Sequence, residues 1–139
     1  MDQQVRDVMT NVPVAVGALT AVTEVAHRMR AEDIGAVLVT EGGELRGVVT
    51  DRDLVVRVMA EGKDPGETTV MSACSTDLVT VGPDEPAVLA VQLMRKHALR
   101  RLPVVRDGEV VGIVALGDLA VGRDPESALG EISAAAPNR

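Results

Sequence analysis

The run Gly47-Val48-Val49-Thr50-Asp51-Arg52-Asp53 places a hydroxyl and a carboxylate three residues apart at the end of an apolar segment. That pairing suits a phosphorylated nucleoside. Thr50 closes a strand beside the start of the next helix, where free N–H groups and the helix dipole favour a phosphate and a hydroxyl adds one more donor. Asp53, one turn further on, accepts hydrogen bonds from both hydroxyls of a ribose. Val48 and Val49 offer an apolar wall to a base, and Gly47, lacking a side chain, lets backbone pass close to a neighbour or a ligand. The same residues also have a purely structural use: Thr50 caps the helix and Asp53 complements its dipole.

A second run, Gly112 to Asp118, has the same shape, but Ala115 stands where the threonine was. The carboxylate Asp118 is kept and the hydroxyl is gone. Arg100 and Arg101 end a basic run in an acidic chain. Arg101 opens the apolar stretch Leu102–Val105, a costly place for a charge unless an anion meets it. His27 and His97 fall on polar helix faces, and Cys74 stands alone, with no CxxC or HxxxH spacing to hold a metal. The thiol also lacks a neighbouring base that would make it a nucleophile. No metal site and no hydrolase are expected.

The elements that must position these residues occur twice. An offset of 65 aligns residues 16–54 with 81–119 without a gap, joining Met29 to Met94, Gly47 to Gly112 and Asp53 to Asp118. Upstream, the VMT of residues 8–10 answers the VMS of residues 70–72, with a length change of three between. Each copy reads as a short strand, an amphipathic helix, two apolar strands and a second helix. Val22, Val25, Ala26 and Met29 carry the first helix, with Thr20 its expected N-cap. Val88, Val91 and Met94 carry its partner, behind Asp84 or Glu85 as cap and Pro86 in the first turn. Asp107-Gly108 marks a hairpin. The second helices run from Asp51 to about residue 60 and from Leu116 to about residue 121. The expected organisation is repeat 1 over 1–60, a polar linker over 61–69, repeat 2 over 70–121 and a tail over 122–139. The tail is read as a turn followed by one helical turn around 126–133. One such unit has too little core to stand alone, and two would bury one another's sheet faces.

Composition sets the outer limits. The chain has 139 residues with 46% hydrophobic and 25% charged, which is a globular balance. It has no Phe, Trp or Tyr, so a ligand base cannot stack on an aromatic ring. A net charge of −7 argues against a nucleic-acid partner, which needs a basic face. The single cysteine excludes an internal disulfide and fits a reducing compartment. No apolar run approaches the ~20 residues of a membrane span. A cytoplasmic chain with no membrane partner is expected.

Two copies of a VMT/VMS segment, helix, hairpin and G-h-h-x-x-x-D closely resemble a tandem pair of cystathionine β-synthase (CBS) domains, the Bateman module. The resemblance covers residues 5–121 and leaves over no fused enzyme, channel or transporter. It implies an α+β fold of two β-α-β-β-α repeats packed with pseudo-twofold symmetry. It also implies a non-catalytic sensor that binds an adenosine-containing ligand (AMP, ADP, ATP or S-adenosylmethionine) in clefts between repeats. Thr50 and Asp53 match the family's nucleotide-binding signature, with Gly47 and Val49 in the same motif and Asp118 in the mirror copy. An Arg at the position of Arg101 reaches, in that family, the phosphate held by the other repeat, and Arg100 is a weaker second contact. Pairing of the second helices (Leu54, Val58, Leu119) into a homodimer follows from the same resemblance, with the downstream protein partner open. No cofactor is implied beyond the regulatory nucleotide. Stand-alone members often have no known ligand, so a purely structural or interaction dimer is the alternative.

Overall fold

The computed structural model describes residues 3–11 and 13–123. The chain forms two compact units: Val14–Leu78, and the segment up to Pro13 together with the chain from Val79 onward. The expected helical turn in the tail lies outside the described residues.

In the Val14–Leu78 unit, β2 (Ala15–Gly17) leads to α2 (Val22–Glu32), β3 (Ala36–Glu41) and β4 (Glu44–Thr50). Next come α3 (Asp51–Leu54), a π-helical continuation over Val55–Met59, and α4 (Val70–Ala73). The sheet order is β2-β3-β4, with β3 parallel to β2 and antiparallel to β4. Gly42 and Gly43, both at positive φ, make the tight turn between β3 and β4. Alternation along the strands turns Val37, Val39 and Val49 inward, where they meet Val25, Met29 and Val70. This core is built from valines and thioether, as the absence of aromatic residues requires.

The other unit repeats the plan. It holds α1 (Val5–Val8), β1 (Thr10–Asn11), α5 (Ala87–His97), β5 (Arg101–Arg106), β6 (Glu109–Ala115) and α6 (Leu116–Arg123). Its sheet order is β1-β6-β5, and Asp107-Gly108 forms the expected hairpin turn with both residues at positive φ. Val5, Ala90, Met94, Leu102, Val104, Val114 and Leu119 form its core. The mixed helix-and-strand repeat fold is thus as the sequence predicts.

Two details differ from the sequence reading, and one cause explains both. Each unit is completed by a segment that belongs, in sequence, to the other repeat. Helix α1 packs with Val79 onward, while α4 packs with Val14–Leu78. The equivalent segments are therefore Val5–Val8 and Val70–Ala73, again 65 apart, and Thr10 pairs with Ile113 as Ser75 pairs with Val48. The length change of three inferred from VMT and VMS is not real; the offset holds throughout. The helix caps follow suit. Helix α2 has Ala21 at its N-cap and α5 has Pro86, with no side-chain cap at either. Instead Val22 N–H donates to the Thr68 carbonyl at 2.9 Å and Ala87 N–H to the Gln3 carbonyl at 2.8 Å. Carbonyls of the exchanged segments satisfy the orphan donors that Thr20, Asp84 or Glu85 were expected to satisfy.

Candidate functional site

Thr50 is the last residue of β4 and the N-cap of α3. Its hydroxyl accepts from Asp53 N–H at 3.1 Å, and Asp53 Oδ2 accepts from Thr50 N–H at 2.8 Å. This reciprocal capping box satisfies two orphan donors and fixes both side chains. Each keeps capacity for a ligand. The Thr50 O–H has no acceptor among the described residues. The second Asp53 oxygen lies 3.8 Å from Arg57 Nε, with its side chain 16% exposed. Neutral hydroxyl donor and anionic acceptor thus stand side by side at one strand end.

The other predicted residues of this motif have different surroundings. Val49 is fully buried in the core, so the face that a base could meet carries Val48 and not Val49. At Gly47 a Cβ would lie 2.6 Å from both Cys74 Sγ and the Ser75 carbonyl oxygen. The close neighbour that this glycine admits is the returning segment of the chain. Gly112 has the same office toward Met9 and Thr10. Gly47→Ala is therefore expected to lower stability by roughly 1–3 kcal/mol, since the obstructing atoms include backbone. Thermal unfolding measures it; an unchanged midpoint would mean that the 74–75 segment yields freely.

Arg101 opens β5 directly across from Ala115, as Ala36 stands across from Thr50. One unit therefore carries the hydroxyl of this cross-strand pair and the other carries the cation. Arg101 is half-buried and Arg100 exposed, with the Arg100 carbonyl accepting from Leu116 N–H at 2.8 Å. Asp118 accepts from Ala115 N–H at 2.9 Å, keeping half of the capping box without a hydroxyl. Burial pushes the Asp118 carboxyl above its ordinary range, while the Ala115 N–H and the Arg101 cation hold it back. So the structure gathers Thr50 with Asp53 in one unit, and Arg101 with Asp118 in the other.

The raised Asp118 pKa has a signed consequence. The folded chain holds the proton more tightly than the unfolded chain, so stability is greatest below the unfolded value and falls as pH rises through the folded one. Asp118→Asn keeps an acceptor for Ala115 N–H and removes the charge. The variant should lose this part of the fall in melting temperature across the acidic range, and a slope identical to wild type would refute the assignment.

Arg57 went unnoticed in the sequence although the signal was there, since Asp53 and Arg57 are spaced i, i+4 on one helix. Its Nη1 also donates to the Cys74 carbonyl at 3.3 Å. Cys74 is buried, and burial raises its thiol pKa, with Asp53 adding to the rise and Arg57 opposing it. His27 and His97 are exposed. Among the described residues no three His, Cys, Asp or Glu side chains converge on one point. A depression of about 350 Å³ is lined by His27, Arg30 and Ala31, none of them a predicted site residue. Among the described residues no helix is long and apolar enough to cross a membrane.

The duplicated strand–helix plan matches the CBS domain family model over residues 5–60 and 70–121. The chain belongs to the CBS domain family. The CBS domain-containing protein YhcV of Bacillus subtilis is 44% identical over 119 residues, spanning 86% of this chain and 84% of that protein. The crystal structure of Hypoxic Response Protein I, which has two coordinated zinc ions, is 32% identical with a TM-score of 0.77, covering 85% of this chain and 97% of the other. The CBS domain pair of protein MJ0100, solved with 5′-methylthioadenosine and S-adenosyl-L-methionine, shares the fold with a TM-score of 0.77 at 24% identity, over 86% and 94% of the two chains. The resemblance drawn from the sequence motifs is thereby established, and the CBS pair is a regulatory module by family.

Proposed function

We propose that this CBS pair is a non-catalytic cytoplasmic sensor of an adenosine-containing ligand of the AMP, ADP and ATP class. The observation that carries the reading is the Thr50–Asp53 pair. The capping box holds both side chains in place, and the hydroxyl proton and second carboxylate oxygen remain available at a strand end. Asp53 serves as acceptor for the ribose hydroxyls, Thr50 as donor to phosphate, and Val48 as apolar contact for the base. The family pattern assigns Arg101, and secondarily Arg100, to the phosphate. The fold is one on which adenosine compounds are held in MJ0100; at 24% identity that likeness concerns the fold, and the ligand class rests on the two side chains.

A second reading is favoured by the same capping box, because helix capping alone accounts for Thr50 and Asp53. In that reading the chain is an interaction module without a physiological nucleotide. The two are separated by melting temperature in the presence of AMP, ADP, ATP, S-adenosylmethionine and NAD. A ligand at ~100 times its Kd adds ~2.7 kcal/mol of stability. A clear rise with an adenine nucleotide supports the sensor, and flat melting curves across the panel leave the interaction module. We also propose a homodimer, formed through Val55, Val56 and Met59, which are 51%, 44% and 71% exposed along one helical stretch.

A further inference from the structure

Arg57 stands one turn beyond Asp53 and has two partners in the same unit. Its Nε lies 3.8 Å from Asp53 Oδ1, and its Nη1 donates to the Cys74 carbonyl at 3.3 Å. Cys74 ends α4 in the exchanged segment, and the next residue, Ser75, is bound to Val48 by two backbone hydrogen bonds of 2.9 and 3.1 Å. One guanidinium thus joins the carboxylate of the proposed site to the segment that edges the sheet. A planar fork with several donors can hold both oxygens together, which a compact ammonium on a flexible stem does poorly. The position 65 residues on is Gly122, which has no side chain to make such a tie beside Asp118.

From these contacts we infer that Arg57 is a positioning residue that orients Asp53 for its ligand and couples that carboxylate to the 70–75 segment. A change at Asp53 is consequently felt at Cys74. The ligand half of this inference rests on the nucleotide reading above; the coupling half rests on the two contacts alone.

The test uses the full chain, the rate at which 5,5′-dithiobis(2-nitrobenzoate) modifies Cys74 under native conditions, and AMP as the ligand probe. A buried thiol reacts through local opening, so the rate reports how firmly the segment is held. Arg57→Gln is expected to speed modification roughly three- to tenfold, the equilibrium weight of one such hydrogen bond. Asp53→Asn keeps an acceptor for Thr50 N–H, removes the charge, and should also speed it. The double variant should then react no faster than Arg57→Gln alone, because both changes break the same chain of contacts. Fully additive effects overturn the coupling whether or not any ligand binds. In calorimetry Arg57→Gln should weaken AMP binding about tenfold without changing the number of sites, a shift of ~1.4 kcal/mol. Arg57→Lys, which retains the charge, should recover part of that affinity while leaving Cys74 fast. Unchanged AMP affinity in Arg57→Gln beside normal wild-type binding overturns the positioning role. If wild type binds none of AMP, ADP and ATP, the nucleotide reading fails and the double-variant comparison alone decides the coupling.

Discussion

Calorimetric titration with AMP or ADP is expected to give about one nucleotide per chain, with the Thr50–Asp53 motif as the working half of the pair and a loss of about tenfold or more in Asp53→Asn. The reason lies in what the duplication kept and lost. At one β–α junction a hydroxyl and a carboxylate stand together, locked by bonds of 2.8 and 3.1 Å. At the other, Ala115 has no hydroxyl, so Asp118 keeps only the Ala115 N–H half of the capping box and has no neighbouring hydroxyl to donate to a phosphate. Charge-assisted hydrogen bonds contribute ~1.5–3 kcal/mol each, so the carboxylate charge and the Arg101 charge are each expected to matter by tenfold or more. Asp53→Asn is preferred to Ala as a probe because it spares the cap and leaves the helix intact. Arg101→Ala should also weaken phosphorylated ligands, and Asp118→Asn should change little. Equal affinity at two sites would show that both motifs bind, and loss of binding in Asp118→Asn alone would show that the other motif is the active one. If Arg101→Ala leaves binding untouched, the role of Arg101 is confined to Asp118 in its own unit.

The second large effect is on folding. Val58→Asp should abolish cooperative unfolding of the Val14–Leu78 unit, while Met59→Asp, one residue later, should leave it intact. Val58 is 1% exposed and packs with Val22, Ala73 and Leu54. An unpaired carboxylate there costs several kcal/mol, on the order of the whole 5–15 kcal/mol stability of a small domain. Met59 is 71% exposed and loses little by becoming polar. The family resemblance implies Leu54, Val58 and Leu119 at the dimer surface; Val58 and Leu119 are instead buried within their own units, at 1% and 2% exposure. Circular dichroism on heating reads the first variant, and light scattering reads the second. Met59→Asp is expected to shift a homodimer toward monomer while the Val14–Leu78 unit keeps a cooperative unfolding transition. A folded, monomeric Val58→Asp protein would return Val58 to the interface and refute its packing against Val22 and Ala73.

Sequence alone determined the elements whose signals are local. The two amphipathic helices announce themselves by Val22, Val25 and Met29 and by Met94, and the hairpin by Asp107-Gly108, because periodicity and turn chemistry act within a few residues. The duplication was equally plain, since Gly47, Asp53 and their counterparts repeat at a fixed offset, and with it came the family. The Thr50–Asp53 pair was legible for the same reason, as a hydroxyl and a carboxylate three residues apart at a strand end.

Tertiary structure decided what depends on distant chain. Only the fold shows that Val5–Val8 completes one unit and Val70–Ala73 the other, because a short helix carries no record of which sheet it will edge. That exchange supplies the Thr68 and Gln3 carbonyls at the helix starts, so the caps fall to backbone and not to Thr20, Asp84 or Glu85. It also sets Cys74 and Ser75 against Gly47, answering a question that the glycine could pose but not resolve. In the π-helical stretch over Val55–Met59, Val58 lies inside and Met59 outside. Periodicity gives the apolar face but not what it meets: Val58 packs against Val22 and Ala73, which lie far from it in sequence, so only the fold separates core from surface there.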